Sequence, residues 1–151
     1  MEYIKLFNDS IIEAFEGMFE ETIILENEAV SPGGISTRGV AVIIGITGGN
    51  KGRVLLDMSL DTAMELGKQL DPDFTDKSFA LFTVSEFCNI ASGGGITMMN
   101  NNSKGLGLRL APPSIFTGVN SRIFSPNLKA VWLSYNTRFG KIDFHIGIEG
   151  V

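Results

Sequence analysis

The stretch from about Ser78 to Met99 can bury only one side of itself, and this constrains everything packed around it. Wound at about 3.6 residues per turn, it gathers Ala80, Leu81, Val84, Phe87, Cys88, Ala91, Met98 and Met99 into one apolar stripe. A stripe that continuous requires a second layer to cover it. The opposite side carries Phe82, Glu86, Asn89, Ile90, Gly93 and Thr97. Glu86 and Asn89, three residues apart, therefore project together and away from the core, toward solvent or a partner.

The rest of the chain supplies that second layer. Asn8, Asp9 or Ser10 offers an N-cap, with Glu13 at capping-box spacing from Ser10. Ile11, Phe15, Met18, Phe19 and Thr22 then follow a helical period, while Asp9, Glu13, Glu16 and Glu20 give an acidic outer side, so an N-terminal amphipathic helix of about four turns is predicted. After the loop Ser31-Pro32-Gly33-Gly34, the run Val40 to Ile46 and the run Arg53 to Met58 read as strands joined by the turn Gly48-Gly49-Asn50-Lys51-Gly52. Ser59-Leu60-Asp61 caps a helix to about Leu70, and Asp71 to Asp76 separates it from the long helix. Asn100-Asn101-Asn102-Ser103-Lys104-Gly105 stops the long helix.

The final third is read as strands: Leu106 to Leu110, Ser114 to Gly118 after the Ala111-Pro112-Pro113 break, and an edge piece from Ser121 to Phe124. Ala130 to Thr137 and Ile142 to Glu149 flank Arg138-Phe139-Gly140-Lys141 and make a terminal hairpin. In the last strand Ile142, Phe144, Ile146 and Ile148 alternate with Asp143, His145, Gly147 and Glu149, predicting one buried and one wet face. No alternating strand–helix–strand rhythm appears. The expectation is a single α+β domain over residues 1–151, a mostly antiparallel sheet packed with the long mid-chain helix and the N-terminal helix.

Charge and composition exclude several function classes. The net charge is −5 and lysine and arginine are scattered singly, so no basic stripe exists to bind a nucleic-acid backbone. No apolar run is long enough to span a bilayer, one cysteine cannot form an internal disulfide, and the opening residues lack a secretory pattern. A reduced, cytoplasmic protein without a membrane partner is expected.

The run Ser85-Glu86-Phe87-Cys88-Asn89-Ile90-Ala91-Ser92-Gly93 resembles the signature helix of the CheC/CheX/FliY chemotaxis phosphatases, E-x-x-N with a glycine one turn beyond. Leu110 to Gly118 is similar to the strand, proline and glycine segment that follows it in CheX, and the order of elements agrees along essentially the whole chain. One complete E-x-x-N is the CheX pattern. Glu13-x-x-Glu16 stands where a second motif would lie, as a degenerate copy. The resemblance implies a CheC-like fold and removal of the phosphoryl group from the aspartate of a CheY-like receiver domain. It implies no cofactor of the protein's own, Mg²⁺ being supplied by the receiver, and a homodimer formed through the sheets, for which the terminal hairpin could offer an edge.

An acyl phosphate is already reactive, so its hydrolysis needs chiefly a water held in line with phosphorus and neutralised oxygens. A carboxamide suits the positioning role: its C=O accepts from water and its NH₂ donates, with no negative charge added beside the phosphoryl group. Asn89 is the candidate for that role and Glu86 for pairing with the receiver's lysine; a Glu13/Glu16 pair should be inactive. Phe82, Ile90 and Gly93 are the candidate partner-binding residues, two large apolar groups and a point of close backbone approach on the same outer side. Gly93-Gly94-Gly95 places three poor helix formers together, at about 1 kcal/mol each. Gly95 lies on the core side, where it permits tight helix packing, and nothing in the sequence assigns Gly94 a role. A softened helix would favour the alternative of a non-catalytic module that binds a receiver or a flagellar switch component.

Other signals point to structure. Gly45 to Gly52 lacks the spacing and following helix of a phosphate loop and reads as a hairpin turn. His145 has no second ligand at metal spacing and is expected at the surface; Cys88 reads as a small buried hydrophobe and Trp132 as a packing residue. The aspartates Asp57, Asp61, Asp71, Asp73 and Asp76 lack the pattern of a calcium loop.

Overall fold

The computed structural model describes residues 2–103, 105–124 and 129–151, so Lys104 of the predicted helix stop lies outside the described residues. In chain order the elements are α1 (Glu2–Phe19), β1 (Leu25–Val30), β2 (Gly34–Ser36), β3 (Gly39–Thr47), β4 (Gly52–Ser59), α2 (Leu60–Leu70), α3 (Lys77–Asn102), β5 (Arg109–Leu110), β6 (Ser114–Thr117), β7 (Arg122–Phe124), β8 (Val131–Thr137) and β9 (Gly140–Ile148). The main sheet runs β1-β8-β9-β4-β3-β5, with β6 also on β3, and every pairing is antiparallel. β2 and β7 form a separate two-stranded ribbon. No helix among the described residues is long and apolar enough to cross a membrane.

Strand alternation sorts the sheet into two faces. Val40, Val42, Ile44 and Ile46 of β3, Val54, Leu56 and Met58 of β4, and Ile142, Phe144, Ile146 and Ile148 of β9 meet the helices in one apolar core. Phe87 of α3 sits at its centre, with ring centroids 5.6 Å from Phe15, 5.7 Å from Phe19 and 5.8 Å from Phe144. Edge-on pairs of this kind add about 0.5–1.5 kcal/mol each beyond area burial.

Several expectations change. α1 begins at Glu2, so Asn8, Asp9 and Ser10 lie inside the helix and do not cap it; Ser10 is buried and its hydroxyl donates to the Ala91 carbonyl at 2.7 Å. α3 runs three residues past Met99 to Asn102, and the Asn100 amide clamps the Leu108 backbone, donating to its C=O at 3.1 Å and accepting from its N–H at 2.9 Å. That clamp shortens the predicted strand at Leu106 to the two residues of β5.

The terminal hairpin offers no free edge. β8 is flanked by β1, a strand the periodicity does not reveal, and β9 by β4. β9 is buried on both faces, because the segment from Ser31 to Arg38 is tied across the side opposite the helices. Its expected wet face is therefore interior, and His145 is 5% exposed, not a surface residue.

Candidate functional site

α3 is started by Asp76, whose carboxylate accepts from the Ser78 N–H at 3.0 Å, and is continuous through Glu86, Asn89 and the three glycines. The predicted inner stripe is buried at Ala80, Val84, Phe87, Cys88, Ala91 and Met99, with Leu81 and Met98 half-buried at its margins. On the outer side Phe82 is 64% and Ile90 43% exposed, while Glu86, Asn89 and Gly93 are half-buried. Among the described residues neither the Glu86 carboxylate nor the Asn89 amide has a hydrogen-bonding partner. The five candidate residues thus share one accessible surface on a helix anchored along its opposite side.

The glycines have unequal surroundings. A Cβ on Gly93 would meet nothing closer than Leu110 Cδ1 at 4.0 Å. On Gly94 it would lie 2.2 Å from the Ser10 hydroxyl, and on Gly95 2.5 Å from two ring carbons of Phe7. Gly94 and Gly95 let α1 press against α3, which supplies the role for Gly94 that the sequence does not reveal. Glu13 and Glu16 stand exposed on α1. Beside Ile90, α1 and α3 enclose a groove of about 500 Å³ lined by Glu13, Gly17, Met18, Gly94 and Met98. Met18 is half-buried: it packs at the margin of the core and also forms part of this groove wall.

Cys88 is fully buried, and burial pushes its thiol up to about 12, so it is not a nucleophile. His145 is held neutral, pushed down to about 4 chiefly by burial. No group of three or more His, Cys, Asp or Glu side chains able to hold a metal occurs among the described residues.

Residues 40–135 match the family model described as chemotaxis phosphatase CheX. The chain belongs to the CheX family. A chemotaxis protein CheX from Desulfovibrio desulfuricans superposes with a TM-score of 0.88 at 20% identity, covering 99% of this chain and 100% of that one. The CheX of a CheX–CheY–BeF3–Mg²⁺ complex from Borrelia burgdorferi superposes with a TM-score of 0.83 at 26% identity, with 97% of each chain covered. Thermotoga maritima FliY is a more distant likeness in fold, TM-score 0.65 at 13% identity, covering 99% of this chain and 87% of that one. No curated protein matches the chain. Its CheC-like α+β fold and its place among chemotaxis phosphatases agree with the motif on α3, which lies within the matched CheX region.

Proposed function

We propose that this protein hydrolyses the phospho-aspartate of a CheY-like receiver, with Asn89 holding the attacking water and Glu86 docking against the receiver's lysine. The carrying observation is that the Glu86 and Asn89 side chains, unpartnered among the described residues, stand on the accessible side of a helix whose other side is locked into the core. Asn89 accepts a hydrogen bond from the water through its C=O, turning the water's lone pair toward phosphorus. As the new P–O bond forms, the bond to the aspartate oxygen breaks; the aspartate leaves as a carboxylate and the surplus proton passes to solvent. Mg²⁺ on the receiver would neutralise the phosphoryl oxygens, in keeping with the Mg²⁺ in the Borrelia burgdorferi CheX–CheY assembly. Glu86, one turn away, fixes the approach through a charge-assisted contact without adding charge at phosphorus.

Phe82 and Ile90 would be covered by the receiver, and Gly93 would let its backbone come close. The non-catalytic alternative rests on a helix softened by glycine. It loses support because α3 is unbroken there and is braced by Ser10 and Phe7. Asn89→Ala should slow clearance of phospho-receiver by about 100-fold at matched Mg²⁺. Equal decay rates with the variant and the unmodified protein would refute the assignment.

The homodimer implied by the family resemblance is best supported at β6, which pairs only with β3 among the described residues and exposes Ile115 and Phe116. Sedimentation should show a dimer that a Phe116→Lys change dissociates.

A further inference from the structure

The groove between α1 and α3 adjoins the candidate site. Phe7 packs on Gly95, Ser10 on Gly94 and Ala91, and Phe15 and Phe19 on Phe87, so the two helices run antiparallel. Glu13 and Glu16, which lie between Ser10 and Phe19, therefore stand level with Phe87 to Ala91, the stretch that bears Asn89. Ala14, Gly17, Met18, Ile90 and Met98 give the groove, of about 500 Å³, its apolar walls, and exposed Glu13 lies on the α1 side. Ile90 belongs both to this groove and to the outer side of α3, one residue from Asn89, so a partner seated over Asn89 also meets the groove.

The charge along the groove is one-sided. Asp9, Glu13 and Glu16, with Glu20 one residue past the helix, follow one another at three- and four-residue spacing and are all exposed. Lys5, the one basic residue of α1, reaches Asp9 at 3.9 Å, while Glu13, Glu16 and Glu20 make no ion pair among the described residues. The only basic residue of α3 is Lys77, at its start. Like charges at this spacing repel, and Glu16 and Glu20 stand at the end of α1 where the helix dipole is already negative. No contact among the described residues offsets that repulsion.

We infer that this groove selects the receiver. It takes a large apolar side chain that the receiver carries beside its phosphorylation site, while Glu13 and Glu16 meet a lysine or arginine next to that side chain. The inference rests on the reading that a receiver docks at Glu86 and Asn89, and it names the partner chemistry that reading leaves open. Two flexible methionines suit an inserted side chain, and the unpaired carboxylates supply the complementary charge. The same carboxylates repel a phosphoryl group, which keeps it on the α3 side at Asn89. A second copy of this chain is disfavoured as the occupant, because a two-fold pairing through the groove would bring one acidic row against the other. Glu13 and Glu16 are thus specificity-determining residues, and the degenerate motif has a use other than catalysis.

Steady-state kinetics on a phosphorylated CheY-like receiver test this. Gly17→Leu fills the groove, and because a Cβ there meets nothing within 4 Å the variant should fold. It should raise KM by about tenfold at unchanged kcat. Glu13→Lys with Glu16→Lys should raise KM by about tenfold at about 50 mM salt but by no more than about twofold at about 0.5 M, again at unchanged kcat. Changing the receiver's basic side chains beside its phosphorylation site to glutamate should restore a low KM with that doubly substituted protein. A KM unchanged in both proteins, while Asn89→Ala still slows clearance, overturns the inference and leaves the phosphatase reading standing. A KM that moves with Gly17→Leu alone overturns the cationic partner, and an oligomer that Gly17→Leu dissociates in sedimentation overturns the receiver as occupant in favour of a second copy. Should Asn89→Ala clear phospho-receiver as fast as the unmodified protein, the phosphatase reading falls and calorimetry decides on the groove. Affinity for the receiver charged with beryllofluoride and Mg²⁺ should then fall about tenfold in both groove variants, and equal affinities, or no binding at all, overturn the inference.

Discussion

Replacing Gly93, Gly94 and Gly95 singly by alanine should change stability with opposite signs at adjacent positions. Each substitution gains about 1 kcal/mol from helix propensity, so the sign depends on what the new methyl meets. At Gly93 the nearest atom is Leu110 Cδ1, 4.0 Å away, and the full gain should appear. At Gly94 the methyl would lie 2.2 Å from the Ser10 hydroxyl, which must turn away from the Ala91 carbonyl. Losing that buried bond costs about 2 kcal/mol, leaving a net loss of about 1 kcal/mol. At Gly95 the methyl would lie 2.5 Å from two ring carbons of Phe7, itself 1% exposed and without room to retreat. Overpacking of this kind costs about 3 kcal/mol, a net loss of about 2 kcal/mol. Urea unfolding should therefore order the midpoints Gly93→Ala, unmodified protein, Gly94→Ala, Gly95→Ala. A Gly95→Ala protein as stable as the unmodified one would refute the close approach of α1 to α3. The stabilised Gly93→Ala protein should nonetheless clear phospho-receiver more slowly, because the added methyl stands where a receiver backbone would approach.

Stability should also fall as pH drops from about 6.5 to about 4. Over that interval the unfolded chain protonates His145 while the folded chain holds it neutral, burial and the nearby Arg53 and Arg38 outweighing Asp143; the loss is about 3 kcal/mol. Asp57, raised by burial, works in the opposite direction at the acid end, and urea midpoints that stay flat or rise on acidification would sink the argument. Phe82→Asp should reduce dephosphorylation at low receiver concentration while shifting the unfolding midpoint by no more than about 0.5 kcal/mol, since the ring is 64% exposed. A large loss of stability would mean that Phe82 supports the fold, not a partner.

The legible parts of the molecule are those whose signal is local. The α3 stripe recurs every turn, Ser59 caps α2 by accepting from the Thr62 N–H, and the β3–β4 turn is written in glycine and asparagine. The outward placement of Glu86, Asn89, Phe82, Ile90 and Gly93 follows from the same period. What escapes is set by distant partners. Asn8-Asp9-Ser10 has cap chemistry, yet Ser10 spends its hydroxyl on Ala91, eighty-one residues away. β1, Leu25-Glu26-Asn27-Glu28-Ala29-Val30, is an edge strand with mostly exposed side chains and so lacks an apolar alternation. Asp143 and His145 alternate as a solvated face would, and only the segment Ser31–Arg38 lying over them makes that face interior. Gly94 has a reason only once α1 is docked against it.

The position of β9 bears on how the chain is made. β9 joins the β1–β8 pair to the β4–β3 pair, so the two parts of the sheet can be connected only once residue 148 has been made. Before β9 is made, the backbone edge of β4 that it covers is unpaired, an open strand edge of the sort that invites mispairing with other nascent chains. The β4–β9 and β8–β9 ladders require that strand, and with it comes Phe144, whose ring backs Phe87 on the helix bearing Glu86 and Asn89.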